Sequence, residues 1–443
     1  MQRFLQPTPS IEQQFIGVSL FNGFLHAFIL SYTKERGNAH SSPTYSLWSL
    51  KWESPARNRM KIAYVCTEKL PAPAVRGGAI QMMIDGIAPL IARRHELTIF
   101  SIADPLLPPE ETDGDIHYIR FPKATYETDV ARALAAHKFD VVHVFNRPVP
   151  LIDYQAAAPQ SVFVLSLHND MFSPLKITAE QAKRALDACT LLTAVSEYIK
   201  RTVTNRYPID PQKVKVVYSG VDASQYIPVW TEEGRRIRQA EREAYGLTDK
   251  KVVLFLGRLS KTKGPHLLIQ CLPSLLVRHP EAALVIVGGK WFGDTGRSEY
   301  IDWLHELAAP MADRVLFTNY VPHSHIPKLL LMADVFVCSS QWHEPLARVH
   351  YEAMAAGIPV VTTNRGGNAE IVRHGETGFV IDDYQNPHAF FEAIDYMLVN
   401  KHEAETMAKK ARRLVEQQFQ FHHVAKRFET VYIEACSSLS PNQ

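Results

Sequence analysis

The 443-residue sequence predicts an α/β protein made of two Rossmann-like, doubly wound halves that face each other across a cleft. From Met60 onward, short apolar strand candidates alternate with amphipathic helix candidates, as in repeated βαβ units. A polar, highly charged stretch from Asp222 to Lys250 interrupts this alternation, and a second series of strands follows it. With 46% hydrophobic residues, the chain is large enough for two substantial cores.

The first half is expected to span residues 60–222. Its apolar runs are short and bounded by turn residues, which is typical of buried parallel strands. One helix candidate lies around GAIQMMIDGIAPLIARR. The strand candidates, in order, are KIAYVCT, ELTIFSI, IHYIRF, FDVVHVFN, SVFVLSLHN, TLLTAVS and KVKVVYSG.

The second half is expected to span residues 251–418, after a linker at 223–250. A helix within 419–443 is expected to return to the first half. The strand candidates of the second half are KVVLFLG, AALVIVGG, RVLFTN, ADVFVCSS, IPVVTT and GFVI.

Residues 1–59 lack the strand-helix rhythm, so we expect a poorly structured extension or a start assigned too early, and we favour Met60 as the true start. The uncharged run at 15–32 is nearly long enough to cross a bilayer, but Asn22 and His26 interrupt it. A weak apolar anchor is therefore the alternative. A signal peptide fits poorly, because the basic region is thin and no small-residue cleavage site follows.

Composition limits the partners. The formal net charge is +2, from 48 Lys and Arg against 46 Asp and Glu, which gives no electrostatic case for nucleic acid. The five cysteines are scattered without a C-x-x-C pair, as expected for buried thiols in a reducing cytoplasm.

The segment EPLARVHYEAMAAGIPVV predicts an anion site. Pro345 suits the first position of a helix, where its missing N–H costs nothing. A helix beginning there leaves its first amides as free donors at the positive end of the helix dipole, namely those of Leu346, Ala347 and Arg348. A diphosphate can bind such a helix terminus.

Two glutamates flank this terminus. Glu344 precedes the helix and Glu352 lies about two turns into it, so each carboxylate could accept hydrogen bonds from a hydroxyl pair on either side of the diphosphate. A nucleoside-diphosphate sugar has this order of groups: sugar hydroxyls, diphosphate and ribose hydroxyls. In an arbitrary helix such glutamates are surface residues, but these follow the apolar strand ADVFVCSS, where doubly wound folds bind ligands.

Other candidates also lie at strand ends. Gly77 and Gly78 precede a helix and let the backbone approach a phosphate, although most glycine pairs are only turns. Arg258 and Lys263 follow KVVLFLG as two cations suited to a diphosphate, with a solvated basic loop as the alternative. His168 closes SVFVLSLHN and is expected to point into the cleft.

Histidine and metal assignments are less specific. His143 competes with His168 and could simply pack, and four further histidines in the second half cannot be separated by sequence. We find no spaced His, Cys and carboxylate cluster of the kind that binds metal. Arg258, Lys263 and the helix dipole can supply the counter-charge, which predicts metal independence and no cofactor.

Several motifs together resemble the retaining GT-B glycosyltransferases of family four: GRLSKTKG, EPLARVHYE, GGNAE, TAVSEYIKR and YSGVD. Within that family, TEKLPAPAVRGGAIQ, HVFNRP, KWFGD and SSQWHEPLARVHYEAMAAG are most similar to the spore coat protein SA group. The resemblance implies an acceptor-side first half and a nucleotide-sugar-binding second half. Members of that group begin at the counterpart of Met60.

The resemblance also implies roles for single residues. Arg258 and Lys263 would clamp the donor diphosphate, Glu344 would hold hydroxyls of the donor sugar, and Glu352 would bind the ribose. His168 would lie near the reacting sugar. The loop of Gly77 and Gly78 would close over the donor. This sequence departs from the family where Ala347 replaces a glycine and Ser219 replaces an asparagine.

The implied reaction is a metal-independent, retaining transfer from a nucleotide sugar to a cell-envelope or spore-coat acceptor, which could be a glycan, a lipid-linked molecule or a protein. The expected location is the cytoplasm, with association to the spore coat or a membrane surface left open. An inactive coat-assembly protein is the alternative, and a nucleotide-sugar epimerase is a second enzymic one. The sugar and base are undetermined; Tyr320 to Pro322 are expected near the base, and Trp291 and Phe292 could line the sugar or acceptor pocket or pack in the core.

Overall fold

The computed structural model of the protein describes residues 59–290 and 298–438. The expectations for the extension before residue 59, including its apolar run, lie outside the described residues, as do those for Trp291 and Phe292. Within the described ranges, the helices lack the combination of length and apolar content that a membrane span requires.

The first half contains an eight-stranded sheet in the order β3-β4-β2-β1-β5-β6-β7-β8. All neighbouring strands are parallel except β3 and β4, which are antiparallel. Its central strands are buried along their whole length, which explains their nearly continuous apolar sequences. The strands are β1 (Lys61–Val65), β2 (Glu96–Ile102), β3 (Glu110–Asp113), β4 (Ile116–Phe121), β5 (Val141–Phe145), β6 (Val162–Leu167), β7 (Leu191–Ala194) and β8 (Val214–Val216).

Helices connect these strands, and their starts follow local sequence signals. Thr178 and Gln181 form a capping box at the start of one helix, and the Ser196 hydroxyl accepts the Ile199 N–H at the start of the next. The helices are α1 (Ala79–Ala92), α2 (Tyr126–Ala136), α3 (Pro148–Ala157), α4 (Ala179–Ala188) and α5 (Glu197–Thr204).

The chain then enters the second half through residues 223–250. This stretch contains helix α6 (Glu232–Ala244). Arg238 and Arg242 of α6 bind the Asp334 carboxylate at 2.5 and 2.7 Å, which attaches the helix to the second half. Part of the charge of this stretch is therefore used in specific ion pairs.

The second half is a six-stranded parallel sheet in the order β11-β10-β9-β12-β13-β14. Its strands are β9 (Lys251–Leu256), β10 (Ala282–Val287), β11 (Val315–Asn319), β12 (Val335–Cys338), β13 (Val360–Thr363) and β14 (Phe379–Ile381). Its helices are α7 (Pro265–Arg278), α8 (Glu299–Ala308), α9 (Ile326–Leu330), α10 (Arg348–Ala356), α11 (Asn368–Ile371), α12 (Pro387–Val399) and α13 (Lys401–Gln418).

The chain passes between the halves twice, near residues 217–222 and 418–421, which we call the two crossings. They run side by side, since the Val221 N–H donates to the Phe419 carbonyl at 2.9 Å. After the second crossing, helix α14 (Phe421–Ser437) packs against α1 of the first half. There the Tyr432 hydroxyl donates to that of Tyr64 at 3.0 Å.

One carboxylate joins three of the motifs that suggested the family. The side chain of Glu370, from GGNAE, accepts the N–H groups of Glu197 and Tyr198, both at 2.7 Å, at the start of α5 in TAVSEYIKR. It also accepts the hydroxyl of Tyr218, from YSGVD, at 3.0 Å. A negative charge at the start of α5 is favoured by the helix dipole, so this second-half residue fastens the two halves together.

Candidate functional site

A cleft with a volume of about 560 Å³ lies between the two sheets. In each sheet the first strand has neighbours on both sides that come later in the chain: β1 lies between β2 and β5, and β9 lies between β10 and β12. The loops after the carboxyl ends of these strands line the cleft. This is the position at which open α/β sheets bind ligands.

The cleft brings the sequence candidates together. Its lining includes all ten residues chosen from the sequence: Gly77, Gly78, His168, Arg258, Lys263, Glu344, Leu346, Ala347, Arg348 and Glu352.

On the first-half wall, Gly77 and Gly78 form the turn before α1. Both have positive φ, 73° and 105°. A Cβ at Gly78 would lie only 2.6 Å from the Gln81 Oε1 and from a Leu70 methyl group, so the loop needs glycine at this point. The loop is anchored from α1, because the Asp85 carboxylate accepts the Ala74 N–H at 2.7 Å.

His168 follows β6 and projects into the cleft. Its backbone N–H donates to Asn146 Oδ1 at 3.0 Å, while its Nε2 is buried and has no hydrogen-bond partner among the described residues. Burial lowers the pKa of His168 to about 4, and the positive charge of Arg348 contributes to the shift. The imidazole is therefore neutral at pH 7.

Asn146, at the end of β5, was not among the sequence candidates. Its φ is 59°, a left-handed conformation that asparagine tolerates better than most residues. Its N–H donates to the Ser166 carbonyl at 2.7 Å, which holds it beside β6 and His168. An asparagine directly after a buried strand is the signal that could have identified it.

Other histidines have different surroundings. His143 is fully buried between the Tyr432 hydroxyl, 2.7 Å from its Nδ1, and the Ser166 hydroxyl, 2.5 Å from its Nε2. It belongs to a polar network in the first-half core. In the second half, His350 is buried beneath the cleft and His323 is part of the cleft lining.

On the second-half wall, the residue Glu344 is only 5% exposed. Its Oε2 accepts the ammonium of Lys263 at 2.6 Å, the indole N–H of Trp342 at 2.6 Å and the hydroxyl of Ser340 at 2.9 Å. Burial alone would raise the pKa of Glu344, but Lys263 and these hydrogen bonds hold it below its ordinary value. The carboxylate is thus ionised, and Glu344 lines the cleft.

The predicted helix start at Pro345 is wrong, because α10 begins at Arg348. Ala347 precedes it with extended backbone, φ −76° and ψ 128°. The carbonyls of Glu344 and Pro345 accept the Gly367 N–H at 2.8 Å and the Ser196 hydroxyl at 2.7 Å, so they are not available to helical amides. Leu346 and Ala347 line the cleft from this extended segment rather than from the first turn of a helix.

Glu352 and Arg348 share one face of α10. Glu352 is 4% exposed, and its Oε1 lies 3.8 Å from Arg348 Nη2. The Arg348 Nη1 donates to the Gly220 carbonyl at 3.1 Å, and its Nε is buried without a hydrogen-bond partner among the described residues. The role expected of Arg348 was limited to its amide, and these side-chain contacts were not anticipated.

The described residues do not form a metal site. Across residues 59–290 and 298–438, no three His, Cys, Asp or Glu side chains are grouped so that they could hold a metal ion. The lysines and arginines that line the cleft are Lys69, Arg147, Arg258, Lys263 and Arg348. A ligand with two negative charges would meet its counter-charge there.

Comparison with known proteins gives the following matches. The model of glycosyl transferases group 1 matches residues 237–414, and that of glycosyltransferase family 4 matches residues 76–225. YtcC of Bacillus subtilis (strain 168), which is named as a glycosyltransferase, is 56% identical over 84% of this chain and 92% of YtcC. Spore coat protein SA of the same strain is 47% identical over 84% of this chain and 99% of that protein.

Among solved structures, Anabaena Alr3699/HepE in complex with UDP superposes with a TM-score of 0.69. The alignment covers 85% of this chain and 100% of that one at 22% identity, so the likeness concerns the fold alone. Together with the two parallel sheets, it confirms the predicted fold class of two Rossmann-like halves facing across a cleft.

Proposed function

This chain belongs to the family-four glycosyltransferases, which have the two-domain GT-B fold, and from that premise we propose its reaction. The enzyme transfers a sugar from a nucleoside-diphosphate donor to an acceptor with retention of anomeric configuration and without a metal ion. The acceptor is a component of the cell envelope or spore coat: a glycan, a lipid-linked molecule or a protein.

One observation carries this proposal: the cations and buried carboxylates of the second half face His168 and the glycine loop of the first half within a single cleft. Arg258, Lys263 and the first-turn amides of α10 would bind the diphosphate, and Glu352 the ribose. One oxygen of Glu344 accepts the ammonium of Lys263, so its other oxygen would accept the sugar hydroxyls.

The chemistry proposed for this site needs no enzymic nucleophile. The leaving phosphate stays on the same face of the sugar as the incoming acceptor and takes its proton. Catalysis rests on stabilising the charge that develops on the departing diphosphate, to which each preorganised donor contributes roughly 2.7–4 kcal/mol by analogy with oxyanion holes. A neutral His168 beside the reacting sugar adds a hydrogen-bonding group without adding charge.

Arg258→Ala tests the assignment. We expect turnover at saturating donor to fall on the order of a hundredfold or more. The matched control is Arg184→Ala, which removes an exposed arginine on α4 outside the cleft and should leave turnover unchanged. Release of UDP, GDP or ADP from a panel of their sugars is the measurement. Unchanged turnover in Arg258→Ala would refute the diphosphate clamp.

Two further measurements address the finer claims. The anomeric configuration of the product by NMR tests retention, and inversion would refute the mechanism above. Turnover in excess EDTA tests metal independence, and a loss restored by Mg²⁺ or Mn²⁺ would refute it.

The second candidate function is a coat-assembly protein without turnover, which the similarity to spore coat protein SA favours. The two candidates differ in whether nucleotide sugar is consumed and whether Glu344→Ala abolishes that consumption. An epimerase would convert the nucleotide sugar without forming a transfer product when an acceptor is supplied. The described cysteines are all unpaired, so we propose a cytoplasmic site of action, with association to the coat or a membrane surface as a separate property.

A further inference from the structure

The side chain of Arg348 reaches from the cleft to both crossings. Its Nη1 donates to the Gly220 carbonyl at 3.1 Å and lies 3.4 Å from the Ser219 hydroxyl, both in the first crossing. Its guanidinium carbon lies 6.0 Å from the ring centre of Phe421, the last residue of the second crossing. One residue at the start of α10 thus contacts the two segments that join the halves.

The accepting carbonyl belongs to the point where the crossings touch. A Cβ at Gly220 would lie 2.7 Å from the Phe419 carbonyl oxygen and 2.8 Å from a methyl group of Val424, so the two backbones approach as closely as glycine allows. The neighbouring Val221 N–H donates to the same Phe419 carbonyl at 2.9 Å. A rotation of one half against the other must displace the peptide groups at this contact.

Arg348 lines the cleft, and its guanidinium has unused hydrogen-bonding capacity. Its Nε is buried and lacks a hydrogen-bond partner among the described residues, and Nη2 is 3.8 Å from Glu352, beyond hydrogen-bonding distance. The Nε2 of His168, across the cleft, is also buried and unpartnered within the described part of the chain. Leaving buried polar groups unsatisfied is costly, so a ligand atom that accepts from Arg348 would be favoured here.

We propose that Arg348 links occupancy of the donor site to the geometry of the crossings. An oxygen of the donor accepts from Nε while Nη1 holds the Gly220 carbonyl, so that a bound nucleotide tightens the contact between the crossings. A planar guanidinium can serve both partners at once because its donors point in fixed directions, which an ammonium group cannot do. This inference rests on the proposed function, since it takes a nucleoside diphosphate as the ligand.

The test is hydrogen exchange at the Val221 amide, with and without UDP or GDP, whichever binds the wild-type protein. In the wild type we expect the nucleotide to slow this exchange. In Arg348→Met we expect about tenfold weaker nucleotide binding and no slowing at saturating nucleotide. In Arg348→Lys we expect part of the nucleotide affinity to return, because the positive charge is kept. The slowing of exchange at Val221 should not return.

Arg412→Met is the matched control. Arg412 fastens the other end of α10 by donating to the carbonyls of Tyr226, at 2.7 Å, and Ala355, and it does not line the cleft. It should keep both the nucleotide affinity and the slowing at Val221, whatever its effect on stability.

The inference is overturned if nucleotide slows exchange at Val221 in Arg348→Met as much as it does in the wild type. If the methionine variant does not fold, the same result in Arg348→Lys overturns it. If Arg412→Met loses the slowing at Val221 to the same extent, the inference is also overturned, because such a result would indicate that any loss of contacts around α10 has this effect. A wild type that binds nucleotide without slowing at Val221 refutes only this inference, whereas one that binds no nucleoside diphosphate refutes the proposed function as well.

Discussion

The Lys263–Glu344 ion pair makes the energetics of the cleft measurable by a double-mutant cycle. The two side chains are 18% and 7% exposed, and their charged atoms are 2.6 Å apart. Lys263→Met leaves the Glu344 carboxylate with only the Trp342 and Ser340 donors. Glu344→Gln leaves the Lys263 ammonium beside a neutral amide, whose own N–H groups would meet other donors.

The expected magnitude follows from burial. Removing one partner of a buried pair typically costs about 3–5 kcal/mol, because the remaining charge is left uncompensated. We expect each single variant to lose that order of unfolding free energy. The double variant should lose clearly less than the sum of the two losses, with a coupling energy of about 2 kcal/mol or more.

Urea unfolding at neutral pH, followed by far-UV circular dichroism, gives the four free energies of the cycle. The pH dependence provides an internal check. Because the pKa of Glu344 is lowered in the folded protein, its contribution to stability is present above its unfolded pKa of about 4.5 and is lost as pH falls through the lower folded value. Additive losses, or single variants within about 0.5 kcal/mol of the wild type, would refute the buried ion pair.

Three further predictions concern Glu352 and Asn146 in the cleft and Asp85 on the helix behind its glycine loop. Glu352→Ala should weaken nucleotide binding about tenfold with little change in kcat, because ribose contacts are similar in ground and transition states; calorimetry with UDP or GDP measures this, and an unchanged Kd would remove Glu352 from the site. Burial raises the pKa of Asp85 to about 6, so the stability that this side chain confers falls as pH rises. In urea unfolding, the stability of Asp85→Asn relative to the wild type should therefore increase by up to about 3 kcal/mol between about pH 4 and about pH 7. A stability difference that does not change with pH would contradict the burial of the carboxyl group. Asn146→Gly and Asn146→Ala should both lower turnover, because either change leaves the His168 N–H without its acceptor. In urea unfolding the alanine variant should be less stable than the glycine variant by about 1 kcal/mol, because residue 146 has a positive φ; equal stabilities of the two variants would contradict backbone strain at this position.

Strand positions were the most predictable part of this fold. The apolar runs of β5 and β6 are fully buried in a parallel sheet, so their sequences carry the signal without any need for tertiary information. Because the carboxyl ends of parallel strands share one edge of a sheet, the candidates that follow β9 and β12 are expected to meet, and His168 after β6 is expected to face them from the other half. His168, Arg258 and Glu344 do line one cleft.

What could not be predicted depends on contacts between distant residues. Pro345 has the local preference of a helix start, but its carbonyl accepts a hydroxyl from Ser196 in the other half, and tertiary contact overrides local preference. The pairing of Lys263 with Glu344 joins two loops 81 residues apart in sequence. The Arg348 contact with Gly220 spans 128 residues, and nothing in either motif alone indicates it.

The Glu370 contact has a consequence for recombining this protein with its relatives. Its three partners lie in the first half or at the first crossing, about 150 to 170 positions earlier, so a chimera that exchanges one half breaks up the set. Two of the donors are main-chain N–H groups that any residue except proline supplies. Hybrids should therefore keep the contact when the second half brings a glutamate at the equivalent of 370 and the first crossing brings a tyrosine at the equivalent of 218. Exchange points for building new donor–acceptor combinations should therefore be chosen by compatibility of this carboxylate with its three donors before overall identity is considered.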